Sequence, residues 1–181
     1  MDKKTIFITI IGASLLWGII KQAAKSWKMT EKEWNRRKAN GMIGLPLKGK
    51  FIITSPYGNR IHPVTGATQF HNGIDLIQNP SNTTLGANIY ASASGQVIKN
   101  FFNDIGGNSL VIDSGYATFG YAHLQNPSPL KIGTIVKKGQ IIGQIGNTGR
   151  STGPHLHFTL KLNGNLVNPA TNIPGLSNAP K

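Results

Sequence analysis

From Leu47 onward the chain is a succession of short apolar runs separated by glycine- and proline-containing turns, and this punctuation restricts its fold most. The segments 51–54, 89–91, 96–100, 109–113, 118–123, 141–145 and 155–160 read as strands. Each is a few residues long, rich in β-branched or aromatic side chains and bounded by turn signals. Gly106-Gly107, Asn126-Pro127, Asn163-Gly164 and the stretch 146–153 supply the turns. No long helical period occurs in this part, and 22 glycines and 10 prolines in the whole chain agree with a short-stranded all-β fold. The Asn-rich stretch 78–88 reads as an exposed insertion, and the tail, 171–181, as loosely ordered.

The N-terminal 46 residues have a different texture. Residues 5–20 carry no charge and are bracketed by Lys3, Lys4 and Lys21. As a helix they reach about 24 Å, short of the roughly 30 Å hydrocarbon core of a bilayer. A short transmembrane anchor, a signal-peptide core and an interfacial helix all fit. Lys21-Gln22-Ala23-Ala24 is a poor cleavage site, which favours an uncleaved anchor. Trp17, Ile20, Ala24, Trp27, Glu31 and Trp34 recur at steps of three and four, a largely apolar stripe suited to a membrane interface or to a partner protein. The reading is a membrane-associated helical segment over 1–40, a linker over 41–46 marked by Gly41, Gly44 and Pro46, and a β domain beyond.

The formal net charge of +13 divides into +6 for residues 1–46 and +7 for the rest. Such an excess attracts polyanions. Nucleic acid is not expected, because no aromatic-basic interleaving or binding motif accompanies the charge. Only Lys3 and Lys4 precede the apolar run and seven cations follow it by Lys38. The positive-inside tendency would therefore hold the β domain in the cytoplasm if the run spans a membrane.

With no cysteine, disulfides and thiolate metal sites are excluded. All five histidines, His62, His71, His123, His155 and His157, lie beyond residue 46, where there is no glutamate. A hydrolytic site there has to use His and Asp. In His71-Asn72-Gly73-Ile74-Asp75 a spacing of four puts both side chains on one side of a helix or a strand, and Gly73 favours an extended or turning backbone. Both could reach one Zn²⁺ at about 2.0–2.2 Å, although a surface His beside a capping Asp shares the spacing. In His155-Leu156-His157 a strand would turn both imidazoles to one side and send Leu156 and Phe158 into the opposite layer. Imidazoles need hydrogen-bond partners and seldom serve packing in pairs, so this points to metal or catalysis. His123 alone reads as a core or turn histidine, and His62, before Pro63, as structural.

Taken in order, these elements resemble a known family. The string Tyr57-Gly58-Asn59-Arg60-Ile61-His62-Pro63-Val64-Thr65-Gly66, followed by Phe70-His71-Asn72-Gly73-Ile74-Asp75, is similar to the opening motif of lysostaphin-type (LytM-like) zinc endopeptidases. Ala93-Ser94-Gly95-Gln96-Val97, Tyr121-Ala122-His123-Leu124 and Gly139-Gln140-Ile141-Ile142-Gly143 continue it. Gly146-Asn147-Thr148-Gly149-Arg150-Ser151-Thr152-Gly153-Pro154-His155-Leu156-His157-Phe158 closes it. The resemblance covers roughly residues 50–169. It implies an all-β domain over 47–170, a partly open barrel or curved two-sheet structure, with one Zn²⁺ held by His71, Asp75 and His157. It implies that His123 and His155 are catalytic and that peptidoglycan stem or cross-bridge peptides are the substrate. The stretch 78–88 looks longer than the family's usual turn.

Three protein ligands would leave a fourth tetrahedral position for water, as in catalytic zinc sites. With no glutamate available, a neutral His155 or His123 is the candidate proton acceptor, and the residues do not divide the roles between them. Tyr57 and Arg60 are candidates for holding substrate, with Arg60 also readable as a structural donor. The rival reading is a non-catalytic LytM-like module that binds the wall and regulates other hydrolases. Such modules typically lose ligands, whereas all five residues stand here. A phage lysin in a virion or host membrane and a cell-wall remodelling enzyme facing the wall from its own membrane both fit the sequence.

Overall fold

The computed structural model describes residues 30–61 and 68–177. The apolar run 5–20, Trp17, Trp27 and His62 lie outside the described residues. Helix α1 (Glu31–Ala39) precedes twelve strands: β1 (Phe51–Ser55), β2 (Gly58–Ile61), β3 (Thr68–His71), β4 (Ile74–Gln78), β5 (Asn88–Tyr90), β6 (Gly95–Asn103), β7 (Gly107–Asp113), β8 (Ala117–Leu124), β9 (Ile135–Val136), β10 (Ile141–Gln144), β11 (Leu156–Leu162) and β12 (Asn165–Val167). A four-residue helix, α2 (Pro169–Asn172), follows. Eight strands form one antiparallel sheet in the order β1-β4-β11-β8-β7-β6-β9, with β12 also pairing β11. Two ribbons, β2-β3 and β5-β10, complete a mostly β, curved architecture that is not closed into a barrel. All seven strands read from the sequence are present.

Side-chain alternation gives the central strands two unlike faces. Ala117, Phe119 and Tyr121 of β8, Leu156, Phe158 and Leu160 of β11, and Ile74 and Leu76 of β4 point into one core and are almost fully buried. Phe158 is its hub, 5.3 Å from the Tyr121 ring and 6.3 Å from Phe119 between centroids. The intervening residues, Asp75, Ala122 and His157 among them, are less enclosed and face the other side.

Two expectations at the ends of the domain are corrected. Trp34, expected on a membrane-facing stripe, is 1% exposed in the same core, with ring centroids 6.1 Å from Phe119 and 6.5 Å from Tyr116. Helix α1 starts at an N-cap: Thr30 has an extended backbone and its Oγ1 accepts from the Glu33 amide at 3.2 Å. Ile43 and Leu47 join that core, so the boundary drawn at 47 falls inside the packed unit. At the other end Ile173 and Leu176 are buried where a loose tail was expected, behind α2 capped by Asn168. The 78–88 stretch is exposed at 79–83, Leu85 and Asn88 but is tied down between them. Thr84 is buried and accepts from the Gln78 amide at 3.0 Å, while Ile145 donates to Ala87 at 2.8 Å.

A tryptophan filling core space is costly to remove. Trp34→Ala should lower unfolding free energy by about 3–5 kcal/mol in urea denaturation. A chain starting at Thr30 should keep the wild-type midpoint and one starting at Leu47 should lose it. A Trp34→Ala loss below about 1 kcal/mol would place α1 outside the core.

Candidate active site

The open face of the sheet brings five of the predicted residues together. Strands β4 and β11 are neighbours, and their register sets His157 directly opposite Asp75. His71, the last residue of β3, arrives from the β2-β3 ribbon. The turn from β3 to β4 lies so close to β11 that a Cβ on Gly73 would stand 2.5 Å from the Phe158 carbonyl oxygen and 2.9 Å from His157 Cε1. Only glycine lets the two ligand-bearing segments approach this far.

Three acceptor atoms converge. His157 Nδ1 is 2.8 Å from Asp75 Oδ1, His71 Nε2 is 3.2 Å from that oxygen, and the two ring nitrogens are 3.1 Å apart. The other nitrogen of each ring is committed as a donor: His71 Nδ1–H to the Pro56 carbonyl at 2.7 Å, His157 Nε2–H to Asn72 Oδ1 at 3.0 Å. Each ring therefore turns a lone pair inward, the second-sphere arrangement expected of metal-binding histidines. In a tetrahedral zinc site with bonds of 2.0–2.1 Å, neighbouring ligand atoms are about 3.3 Å apart. His71, Asp75 and His157 are thus able to hold a metal ion, and two imidazoles with one carboxylate suit zinc.

His123 and His155 stand beside this cluster, ring centroids 4.5 Å apart. His123 Nδ1–H donates to the Thr148 carbonyl and His155 Nδ1–H to the Gly153 carbonyl, both at 2.8 Å, leaving both Nε2 atoms free as acceptors. His155 Nε2 lies 3.6 Å from Asp75 Oδ1. His123 has a left-handed backbone, φ +61°, a strained conformation for a side-chain-bearing residue. Its amide donates to Gly106 at 2.7 Å and its carbonyl accepts from Gly146 at 2.9 Å, which holds the ring against the 146–153 loop. That loop packs tightly on the β6–β7 turn: a Cβ on Gly149, φ +72°, would strike the Gly107 backbone.

Burial works against the Asp75 carboxylate, but when the inward nitrogens of His157 and His71 carry protons, their hydrogen bonds and charge outweigh it and hold Asp75 well below the usual carboxylate range. Burial lowers His123, the Thr148 carbonyl partly offsets this, and His155 and His157 lower it further. These effects favour the neutral form of the His123 imidazole.

Tyr57 and Arg60 flank the cluster. Tyr57 packs edge-on against Phe70 at 5.2 Å and donates to the Leu166 carbonyl at 3.3 Å. Arg60 Nη1 lies 3.8 Å from Asp75 Oδ2 and donates to Ser55 Oγ. Sequence reasoning assigned no role to Asn72, although it sits within the first motif. The carbonyls of Pro56, Thr148 and Gly153 carry no side-chain signal at all.

Three side chains able to hold a metal ion, with two further imidazoles alongside on an open antiparallel sheet, are an arrangement suited to hydrolysis. Residues 69–169 match the model of peptidase family M23, and the chain belongs to that family. The peptidoglycan DD-endopeptidase ShyC of Vibrio cholerae is 39% identical over 128 residues, 70% of this chain and 28% of that protein. Among solved structures, a zinc-containing peptidase from Vibrio cholerae is 37% identical with a TM-score of 0.63, over 70% of this chain and 39% of the other. The catalytic domain of the antimicrobial peptidase lysostaphin from Staphylococcus simulans is 30% identical with a TM-score of 0.56, over 67% of this chain and 90% of the other. The chain spans less than a third of the first curated relatives it matches, 28% and 31% of the two Vibrio endopeptidases ShyC and ShyA.

Proposed function

We propose that the chain is a zinc-dependent endopeptidase that hydrolyses amide bonds in peptidoglycan stem or cross-bridge peptides. The observation that carries this reading is the convergence of His71 Nε2, Asp75 Oδ1 and His157 Nδ1 beside two histidines whose Nε2 atoms are free. The wall-endopeptidase relatives supply the substrate class. A zinc ion held there would acidify water and polarise the scissile carbonyl. The protein's part is to present two oriented imidazoles, each held by its Nδ1–H on a main-chain carbonyl. One accepts at Nε2 the proton of the attacking water and returns it to the leaving amine, while the other, when it carries a proton on Nε2, donates a hydrogen bond to the developing oxyanion. Tyr57, stacked edge-on against Phe70 on the ribbon that carries His71, is the proposed substrate contact.

His155→Ala and His123→Ala should each keep zinc and cut isolated muropeptides at least about a hundredfold more slowly, as loss of a general acid–base group implies. Mass spectrometry of the fragments identifies the bond cleaved. Near-normal cleavage by His155→Ala at normal zinc content would refute its role.

We propose further that residues 5–20 associate with a membrane and present the catalytic domain to the wall. The uncharged run and the cations from Lys21 to Lys38 support this. Among the described residues no helix is long and apolar enough to cross a membrane. The full chain should float with anionic liposomes and a chain starting at Thr30 should not. Equal flotation of the two would end the proposal.

A further inference from the structure

Asp75 uses its two oxygens differently. Oδ1 takes the close contacts to His157 and His71, which turns it toward the metal position. Oδ2 is left facing Arg60, whose Nη1 is 3.8 Å away. The same Nη1 donates to Ser55 Oγ, and that oxygen lies 3.4 Å from His71 Nδ1. Ser55 is also the register partner of Asp75 across β1 and β4. One guanidinium therefore stands behind two of the three proposed ligands, directly at Asp75 and through Ser55 at His71.

The ribbon that carries Arg60 reinforces this. β2 and β3 pair so that Gly58 faces His71 and Arg60 faces Gln69, so a single hairpin delivers one ligand and the cation behind another. Arg60 Nε is buried and has no hydrogen-bond partner among the described residues. An arginine serving only to brace the fold would be expected to have its buried donors satisfied, because an unmet one is costly. Here the side chain leaves Nε unmet and keeps Nη1 between Ser55 and Asp75. Besides the histidines, Arg60 is the one cation in ion-pair range of Asp75 among the described residues.

We propose that Arg60 is a positioning residue of the metal site, fixing Asp75 by its outward oxygen and His71 through Ser55, rather than a contact for substrate. The proposal rests on the zinc reading above. Groups that orient a ligand from outside the coordination sphere typically contribute 10- to 100-fold to metal affinity. Both contacts are made by the one Nη1, which carries two N–H groups on a rigid, planar guanidinium.

The test is zinc affinity by chelator competition on the full chain, for wild type, Arg60→Gln, Arg60→Lys, Ser55→Ala and the double variant Arg60→Gln/Ser55→Ala. Arg60→Gln should weaken zinc binding about tenfold or more, and Arg60→Lys should recover part of the loss. Ser55→Ala should weaken it less, and the double variant should lose less than the product of the single losses, since the two act through one contact. Melting of the metal-free proteins checks that the fold persists; if Arg60→Gln does not fold, Arg60→Lys carries the comparison. With zinc saturating, KM should stay at the wild-type value. Unchanged zinc affinity with a raised KM would overturn the proposal and make Arg60 a substrate contact. A wild-type chain that binds no zinc would overturn both this proposal and the reading on which it rests. A wild type that binds zinc, with Arg60→Gln equal to it, overturns this one alone.

Discussion

Three electron-rich atoms, His71 Nε2, Asp75 Oδ1 and His157 Nδ1, face one another at 2.8–3.2 Å. Lone pairs at that range repel unless positive charge sits among them, so the arrangement is costly in itself and has to be imposed by its surroundings. Much of the domain can be understood as that imposition. The β4–β11 register holds Asp75 against His157, Gly73 allows the close approach, and Pro56 and Asn72 fix which nitrogen of each ring turns inward. On the opposite face the same strands drive Leu76, Leu156 and Phe158 into the core. Burial of those side chains, each stabilising by about 1.5–3 kcal/mol, keeps the strands in register. A one-residue slip would carry Asp75 or His157 to the wrong face and dismantle the site along with the core.

The two further histidines obey a different constraint. Each is tethered by Nδ1 to a main-chain carbonyl of the 146–153 loop, and that loop is pressed onto the β6–β7 turn by glycines that leave no room for a side chain. The sheet thus supplies the ligand set and the loop aims the imidazoles that flank it. Burial, the chief influence on His123, favours the neutral form that a proton acceptor needs.

The chemistry of the site was more legible in the sequence than its scaffolding. Seven strands announced themselves by apolar runs between turn residues. Strands β2 to β4 did not, because the motif residues around His71 and Asp75 are polar or glycine and hide the alternation. Strands β9 and β12 are two and three residues long, too short for any period. Trp34 was misplaced for a physical reason: a helical apolar stripe looks the same whether lipid or a protein core covers it, and the Thr30 cap that starts α1 was not read from the sequence. Spacing alone could propose His71 and Asp75 as a pair, but their meeting with His157, across more than eighty residues, is a fact of sheet register. The carbonyls that fix the tautomers had no side-chain signature to read.

Whether His71, Asp75 and His157 together form one zinc site is decided by X-ray absorption at the zinc edge of the loaded protein. Such a site should show two imidazole nitrogens with oxygen ligands at about 2.0–2.2 Å, no sulfur, and loss of one imidazole in His157→Ala. A spectrum lacking imidazole, or one that His157→Ala leaves unchanged, would contradict it.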